Sequence, residues 1–157
     1  MISALDARLI ALLAGEPRVG VLECSRRLGV ARGTVQAHLD RLLATGVVRG
    51  FGPDVDPAAL GYTVTAFATL EIRQGAGEEV VEHLAGIPEV LEAHTITGPG
   101  DLLCRIVARG NADLQRVIDH VVRVEGILRT STVISLVGRI PYRTLPLVTL
   151  TATRDER

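Results

Sequence analysis

The sequence predicts an α+β protein of two unlike modules, and three observations carry that prediction. Residues 1–50 hold apolar side chains at helical spacing, residues 64–138 alternate between strand-like and helix-like runs, and charge divides along the same line. The first 50 residues have seven Arg against four acids, a balance of +3, and residues 51–157 have ten Arg against fourteen acids, a balance of −4. A basic front on an acidic rear points to a nucleic-acid face on the first module alone. The chain has seventeen Arg and no Lys, so Arg usage by itself says little about phosphate binding.

In the first module, Leu5, Leu9, Leu12 and Leu13 recur at i, i+4, i+7 and i+8, the mark of a helix with one buried stripe. Ser3 and Asp6 form a capping box at its start, and Gly15 with Pro17 ends it. A short amphipathic helix follows from Val21 to Leu28, then Gly29, the residue type that reverses a chain with positive φ. Val30 plugs the turn. A third helix runs from Ala31 to Thr45 with Val35, Leu39, Leu42 and Leu43 inward, and Gly46 stops it.

A helix, a glycine turn and a longer helix, behind a supporting helix, make the helix-turn-helix arrangement, whose last helix lies in the major groove of double-stranded DNA. Gly33, Thr34, Ala37 and Arg41 fall outward, with Gln36 and His38 on the flanks. Gly33 and Ala37 let the backbone approach base edges, and Thr34 or Gln36 can bond them, Gln pairing best with adenine. Arg26, Arg27, Arg32 and Arg41 suit phosphates, or guanine where an Arg enters the groove. His38 is divided between packing on the second helix and a phosphate contact. A small helical bundle with a solvated polar face is the competing reading. After Gly46, Val47-Val48-Arg49-Gly50-Phe51 reads as a strand leading out of the module, on which Arg49 can touch the DNA backbone as a wing residue does. Residues 51–63 form the linker strand and turn; Asp54 and Asp56, between Pro53 and Pro57, read as turn and cap residues and not as metal ligands.

The second module begins with an alternating strand over 64–73. A helix follows with Val80, Val81 and Leu84 on one face, then a strand from Val90 to Thr97, the loop Gly98-Pro99-Gly100-Asp101, and a strand from Leu102 to Ala108. Asn111 is read as the cap of a helix carrying Leu114, Val117, Ile118, Val121 and Val122, and Ile127 to Val137 is the last strand. The order βαββαβ is the ferredoxin-like pattern, one antiparallel sheet with both helices on one face. Val133 and Val137 alternate with Ile134 and Leu136, so the helix-free face needs a cover, and a second copy of the chain is the simplest. His83 and His120 fall on amphipathic helices and are expected to be solvated. The tail, 139–157, includes a β-prone run from Leu145 to Thr153.

The loop suits an amino acid: Asp101 can pair with an ammonium while the amides of Gly98 and Gly100, set by Pro99, take a carboxylate. Thr130, Ser131 and Thr132 on the last strand can line the same pocket or serve strand formation alone, and His94 on the second strand can face ligand, neighbour or solvent. Gly-Pro-Gly-Asp is equally an ordinary hairpin turn. No apolar run reaches the ~18–20 residues of a membrane span, and the first residues lack the basic region and apolar core of a signal peptide. Cys24 and Cys104 stand apart without metal or redox spacing. These features predict a cytoplasmic protein with free buried thiols, no cofactor, no metal and no membrane contact.

The chain resembles the leucine-responsive and asparagine-responsive (Lrp/AsnC, feast/famine) transcription regulators. The resemblance is carried by Leu5-Asp6 with Leu9 to Leu13, Arg18, Leu28-Gly29-Val30, Val35, Arg41-Leu42 and Gly46 to Phe51. It continues through Asp56 to Tyr62, Thr97-Gly98 with Asp101, Gly126-Ile127, and Arg129-Thr130 before Thr132. It implies a helix-turn-helix joined by a strand to a ferredoxin-like ligand domain, dimers and often octamers, and amino-acid effectors bound between dimers. This chain departs from the family at Ala31, where Ser is usual, at His38, where Arg is common, and at Leu102, where an aromatic often follows the Asp. The expected function is a sequence-specific, effector-responsive transcription regulator and not an enzyme. An architectural DNA-binding protein without ligand, and a small ferredoxin-like dimeric enzyme, are the alternatives.

Overall fold

A computed structural model describes residues 2–154 and separates into two compact units. One consists of the chain up to Pro53 together with the stretch from Ile140 onward, and the other is Asp54–Arg139. Met1 and the last residues of the tail, 155–157, lie outside the described residues.

In the first unit, α1 (Ala4–Gly15), α2 (Val21–Leu28) and α3 (Arg32–Ala44) close around Leu9, Cys24, Leu28, Val35 and Leu42. The capping box forms: the Asp6 N–H donates to Ser3 Oγ at 3.2 Å, and the Ser3 N–H donates to Asp6 Oδ2 at 2.6 Å. Gly29 ends α2 at φ 70°, with its N–H on the Ser25 carbonyl at 3.0 Å. Leu43, expected inside, is 39% exposed, because it stands one position past the buried Leu42, ~100° around the helix.

One expectation fails in this unit and its linker. Val47–Phe51 forms no strand, and between α3 and Val64 only a short 3-10 turn, Ala58–Leu60, is regular. A strand needs a ladder partner for its N–H and C=O groups, and none of the described residues supplies one there. Asp56 opens the 3-10 turn by accepting the Ala58 N–H at 3.0 Å. The β-prone run of the tail is a helix, α6 (Leu145–Arg154), packed on α1. Ala152 is buried and Val148 half-buried, while Leu147 and Leu150 stay exposed, so the apolar residues obey a 3.6-residue period that a strand could not use. Thr149 and Thr151 return their hydroxyls to the carbonyls four residues back, the way Thr is accommodated in a helix.

The second unit is an antiparallel sheet in the order β2-β3-β1-β4, made of β1 (Val64–Ile72), β2 (Val90–Thr95), β3 (Leu102–Ala108) and β4 (Ile127–Ser135). Helices α4 (Gly77–Ala85) and α5 (Asn111–Val121) follow β1 and β3 in the chain. Alternate residues decide the core: Ala66, Ala68 and Leu70 of β1 and Leu102, Cys104 and Ile106 of β3 are buried against Val80, Leu84, Val117 and Val121 of the helices. The opposite sheet face carries Phe67, Leu103, Arg105 and Val133, with Phe67 and Val133 exposed. Asn111 does not cap α5; the carboxylate of Asp113 instead accepts the Arg109 N–H at 2.9 Å. His83 and His120 are not simply solvated either. His83 Nε2 donates to the His120 carbonyl at 2.9 Å, linking α4 to α5, and the two rings stand edge to face. Cys24 and Cys104 are free and buried, and burial pushes the Cys104 thiol up to about 11. Among the described residues, no helix is long and apolar enough to cross a membrane.

Candidate nucleic-acid and effector sites

The turn at Gly29 sets α3 across α2 with Val35 and Leu42 buried, and this leaves Arg32, Gly33, Thr34, Gln36 and Ala37 exposed on the far side. Ala31 precedes α3 in extended conformation with no side-chain cap, as expected where Ser is absent. Gln36 is not idle: its Nε2 donates to Asp40 Oδ1 at 2.7 Å, a bond that a base contact would have to replace.

The Arg residues divide into engaged and free. Arg27 pairs with Glu16 and with Glu23, the latter at 2.9 Å, and Arg26 stands 3.7 Å from Glu23. Arg41 is not simply outward, since its Nη2 donates to both oxygens of Asp6 at 2.6 Å. Among the described residues Arg18, Arg32 and Arg49 form no ion pair, which leaves Arg32 and Arg49 of the expected set free for phosphates.

His38 bonds to α1. Its Nδ1 lies 2.7 Å from Asp6 Oδ1. Asp6 is the hub that the sequence reading missed: it is fully buried and takes hydrogen bonds from Ser3, His38 and Arg41. Burial pushes its carboxyl upward, but the hydrogen bonds from His38, Ser3 and Arg41 outweigh that and hold it well below the usual carboxylate range. The signal was available, because Asp6 shares the helical face of Leu9 and Leu13 at i+3 and i+7.

In the second unit a cavity of about 640 Å³ lies beside α4, lined by Ile72, Gly77, Glu78, Val81, Glu82, Ala85, Thr95, Asp101 and Leu102. Of the expected effector residues only Asp101 lines it. Gly98, Pro99 and Gly100 belong to the same loop but are not among the residues that line it. His94 pairs with Leu103, on the sheet face opposite Leu102, and is exposed. Thr130, Ser131 and Thr132 cannot act as one group, since successive strand residues point to opposite faces. Thr130 and Thr132 pair with the buried Leu70 and Ala68, and their hydroxyls are buried without a partner among the described residues, whereas Ser131 faces the other way. Residues that the sequence reading missed are Glu78, Val81 and Glu82, whose spacing on α4 puts them on one face towards the cavity.

Asp101 braces as well as lines. Its Oδ2 accepts the Ile72 N–H at 2.7 Å, its own N–H donates to the Leu70 carbonyl at 2.8 Å, and its carbonyl accepts the Ile96 N–H at 2.9 Å. The loop is thereby pressed onto β1, so closely that a Cβ on Gly100 would stand 2.3 Å from Thr69 Cγ2.

Comparison with known proteins agrees with both halves of this description. Residues 2–49 match the winged helix-turn-helix DNA-binding model, and residues 65–145 match the Lrp/AsnC ligand binding domain. The HTH-type transcriptional regulator FL11 of Pyrococcus furiosus is 32% identical over 132 residues, covering 84% of this chain and 87% of that protein. The HTH-type transcriptional regulator Ptr1 of Methanocaldococcus jannaschii is 32% identical over 104 residues, 66% of this chain and 70% of its own. The structure of Escherichia coli AsnC superposes with a TM-score of 0.87 at 26% identity, over 93% of this chain and 99% of that one. A Neisseria meningitidis regulator in complex with L-methionine shares the fold, with a TM-score of 0.85 at 22% identity over 96% and 99% of the two chains. With its helix-turn-helix, its ferredoxin-like domain and its curated relatives in agreement, the chain belongs to the Lrp/AsnC family of DNA-binding transcription regulators.

Proposed function

We propose that this regulator adjusts its hold on DNA in response to an amino acid bound in the cavity beside α4. The observation that carries the reading is the cavity itself: about 640 Å³, mostly apolar, with the carboxylates of Asp101, Glu78 and Glu82 on its lining and no basic side chain among them. An ammonium group suits that lining, and the amides of the first turn of α4 around Gly77 suit a carboxylate. The L-methionine complex of the Neisseria relative supports the ligand class without fixing the side chain. Arg32 and Arg49 take phosphates in this reading, while Gly33, Thr34, Gln36 and Ala37 meet the base edges. A second copy covers the sheet face of Phe67 and Val133, which presents two recognition helices to one duplex. The protein works in the cytoplasm with its DNA and carries out no reaction.

A thermal-shift screen of the natural amino acids, followed by gel retardation of the DNA upstream of the gene with each hit, tests this reading. A ligand that raises the melting temperature and changes retardation is the expected result. Equal retardation of random duplex at physiological salt, with no amino acid producing a shift, would leave an architectural DNA-binding protein as the better description.

A further inference from the structure

Asp6 does more than staple α1 to α3; it decides which nitrogen of His38 faces outward. An ionised carboxylate has no proton to give, so the 2.7 Å contact between Asp6 Oδ1 and His38 Nδ1 places a proton on Nδ1. The remaining ring nitrogen, Nε2, has no partner among the described residues, and the side chain is 26% exposed. His38 stands one position after Ala37 and four after Thr34, on the flank of the face that α3 turns away from its core. A flank position of this kind meets the sugar-phosphate backbone more readily than the base edges at the centre of the groove.

The fixed tautomer has a chemical consequence. In the neutral ring Nε2 is an acceptor only, and a phosphate offers only acceptors, so the two cannot bond. In the charged ring Nε2 carries a proton and bonds a phosphate with charge assistance. Among the described residues the charged groups beside the ring are the buried Asp6 on α1 and Arg41 on α3, whose Nη2 is 3.3 Å from Nδ1. Asp6 and Arg41 oppose one another at the ring, whereas a DNA phosphate adds a negative charge that nothing offsets.

We propose that His38 is a proton-linked phosphate contact: each recognition helix grips the DNA backbone with a proton held at Nε2, so affinity rises as pH falls. The inference rests on α3 being the DNA-reading helix, and a phosphate contact carries no sequence information, so any duplex that binds reports it.

The test is fluorescence anisotropy of the full chain at constant ionic strength from pH 5.5 to 8.5, using a labelled duplex from upstream of the gene and a random duplex at low salt. For the wild type, log affinity should fall with rising pH at a slope approaching one per bound helix. His38→Gln, whose amide is a neutral donor at every pH, should bind with little pH dependence and, at pH 5.5, with a salt slope smaller than the wild type's by about 0.9 per helix. His38→Arg, charged throughout, should bind strongly at every pH. A flat wild-type profile overturns the proposal, as does a His38→Gln profile that tracks the wild type. Failure of the wild type to bind either duplex overturns the DNA-reading role of α3 instead. Should His38→Gln melt too low to use, the wild type and His38→Arg decide the matter between them.

Discussion

The carboxylate of Asp101 accepts the backbone N–H of Ile72 at 2.7 Å, which ties the β2–β3 loop to the end of β1 at the edge of the α4 cavity. One residue thus holds up the wall of the pocket and offers it a charge. Asp101→Ala should lower stability without any ligand, by about 1.5 kcal/mol for the lost charge-assisted bond, and also abolish the ligand shift. Asp101→Asn separates the two roles: its carbonyl can still accept the Ile72 N–H, but it cannot pair with an ammonium. Melting curves with and without the best amino acid should show near-wild-type stability and a lost shift for Asp101→Asn. An undiminished shift places the ligand elsewhere.

Gly100 is required by space. An added Cβ would lie 2.3 Å from Thr69 Cγ2 and 3.2 Å from the Leu70 carbonyl oxygen. Gly100→Ala should cost about 1–3 kcal/mol by overpacking. Combining it with Thr69→Ser, which deletes the clashing methyl, should recover part of that loss in urea unfolding. A double variant no more stable than Gly100→Ala would refute the steric cause.

Asp6 is the one charged residue buried among the described residues, and removing it leaves Ser3, His38 and Arg41 without their acceptor. Asp6→Ala should cost about 3 kcal/mol. Its pH dependence has a definite sign. A carboxyl depressed in the folded state contributes stability above the ordinary unfolded value, ~3.9, and loses it as pH falls through the depressed folded value. The wild-type advantage over Asp6→Ala should therefore be present at pH 7 and shrink at pH 3, as read from urea midpoints.

Arg32 and Arg41 should behave differently although both belong to α3. Arg32 has no ion-pair partner among the described residues, so Arg32→Ala should weaken DNA binding and leave the melting temperature unchanged. Arg41 donates to both oxygens of Asp6, so Arg41→Ala should lower the melting temperature as well. Gel retardation beside calorimetry checks the pair, and equal melting losses would show that the Asp6 contact contributes little.

The helix at the end of the chain should stabilise the first unit. Val148 is half-buried and Leu150 is 56% exposed on the same helix. Val148→Asp should destabilise by about 2 kcal/mol or more through a buried charge, and Leu150→Asp by less than about 0.5 kcal/mol. Equal effects would show that α6 does not pack on α1 in solution.

The periodic features were legible in the chain alone. Leu5, Leu9 and Leu13, the turn at Gly29, and the alternating Ala66, Ala68 and Leu70 specify three helices and a βαββαβ unit, because apolar burial at a period of 3.6 or 2 is a local property. The family resemblance rested on the same local signals. Tertiary structure decided everything that depends on a distant partner. Val47–Phe51 has the composition of a strand but no ladder partner among the described residues, and the β-prone tail became a helix because α1 offered an apolar face. Asp6 reads as a cap in sequence, yet its chief partners, His38 and Arg41, stand 32 and 35 residues away. For the effector site, the sequence named the Gly-Pro-Gly-Asp loop. Only folding showed that Asp101 lines one cavity with Glu78 and Glu82 of α4, and that Thr130 and Ser131 face opposite ways.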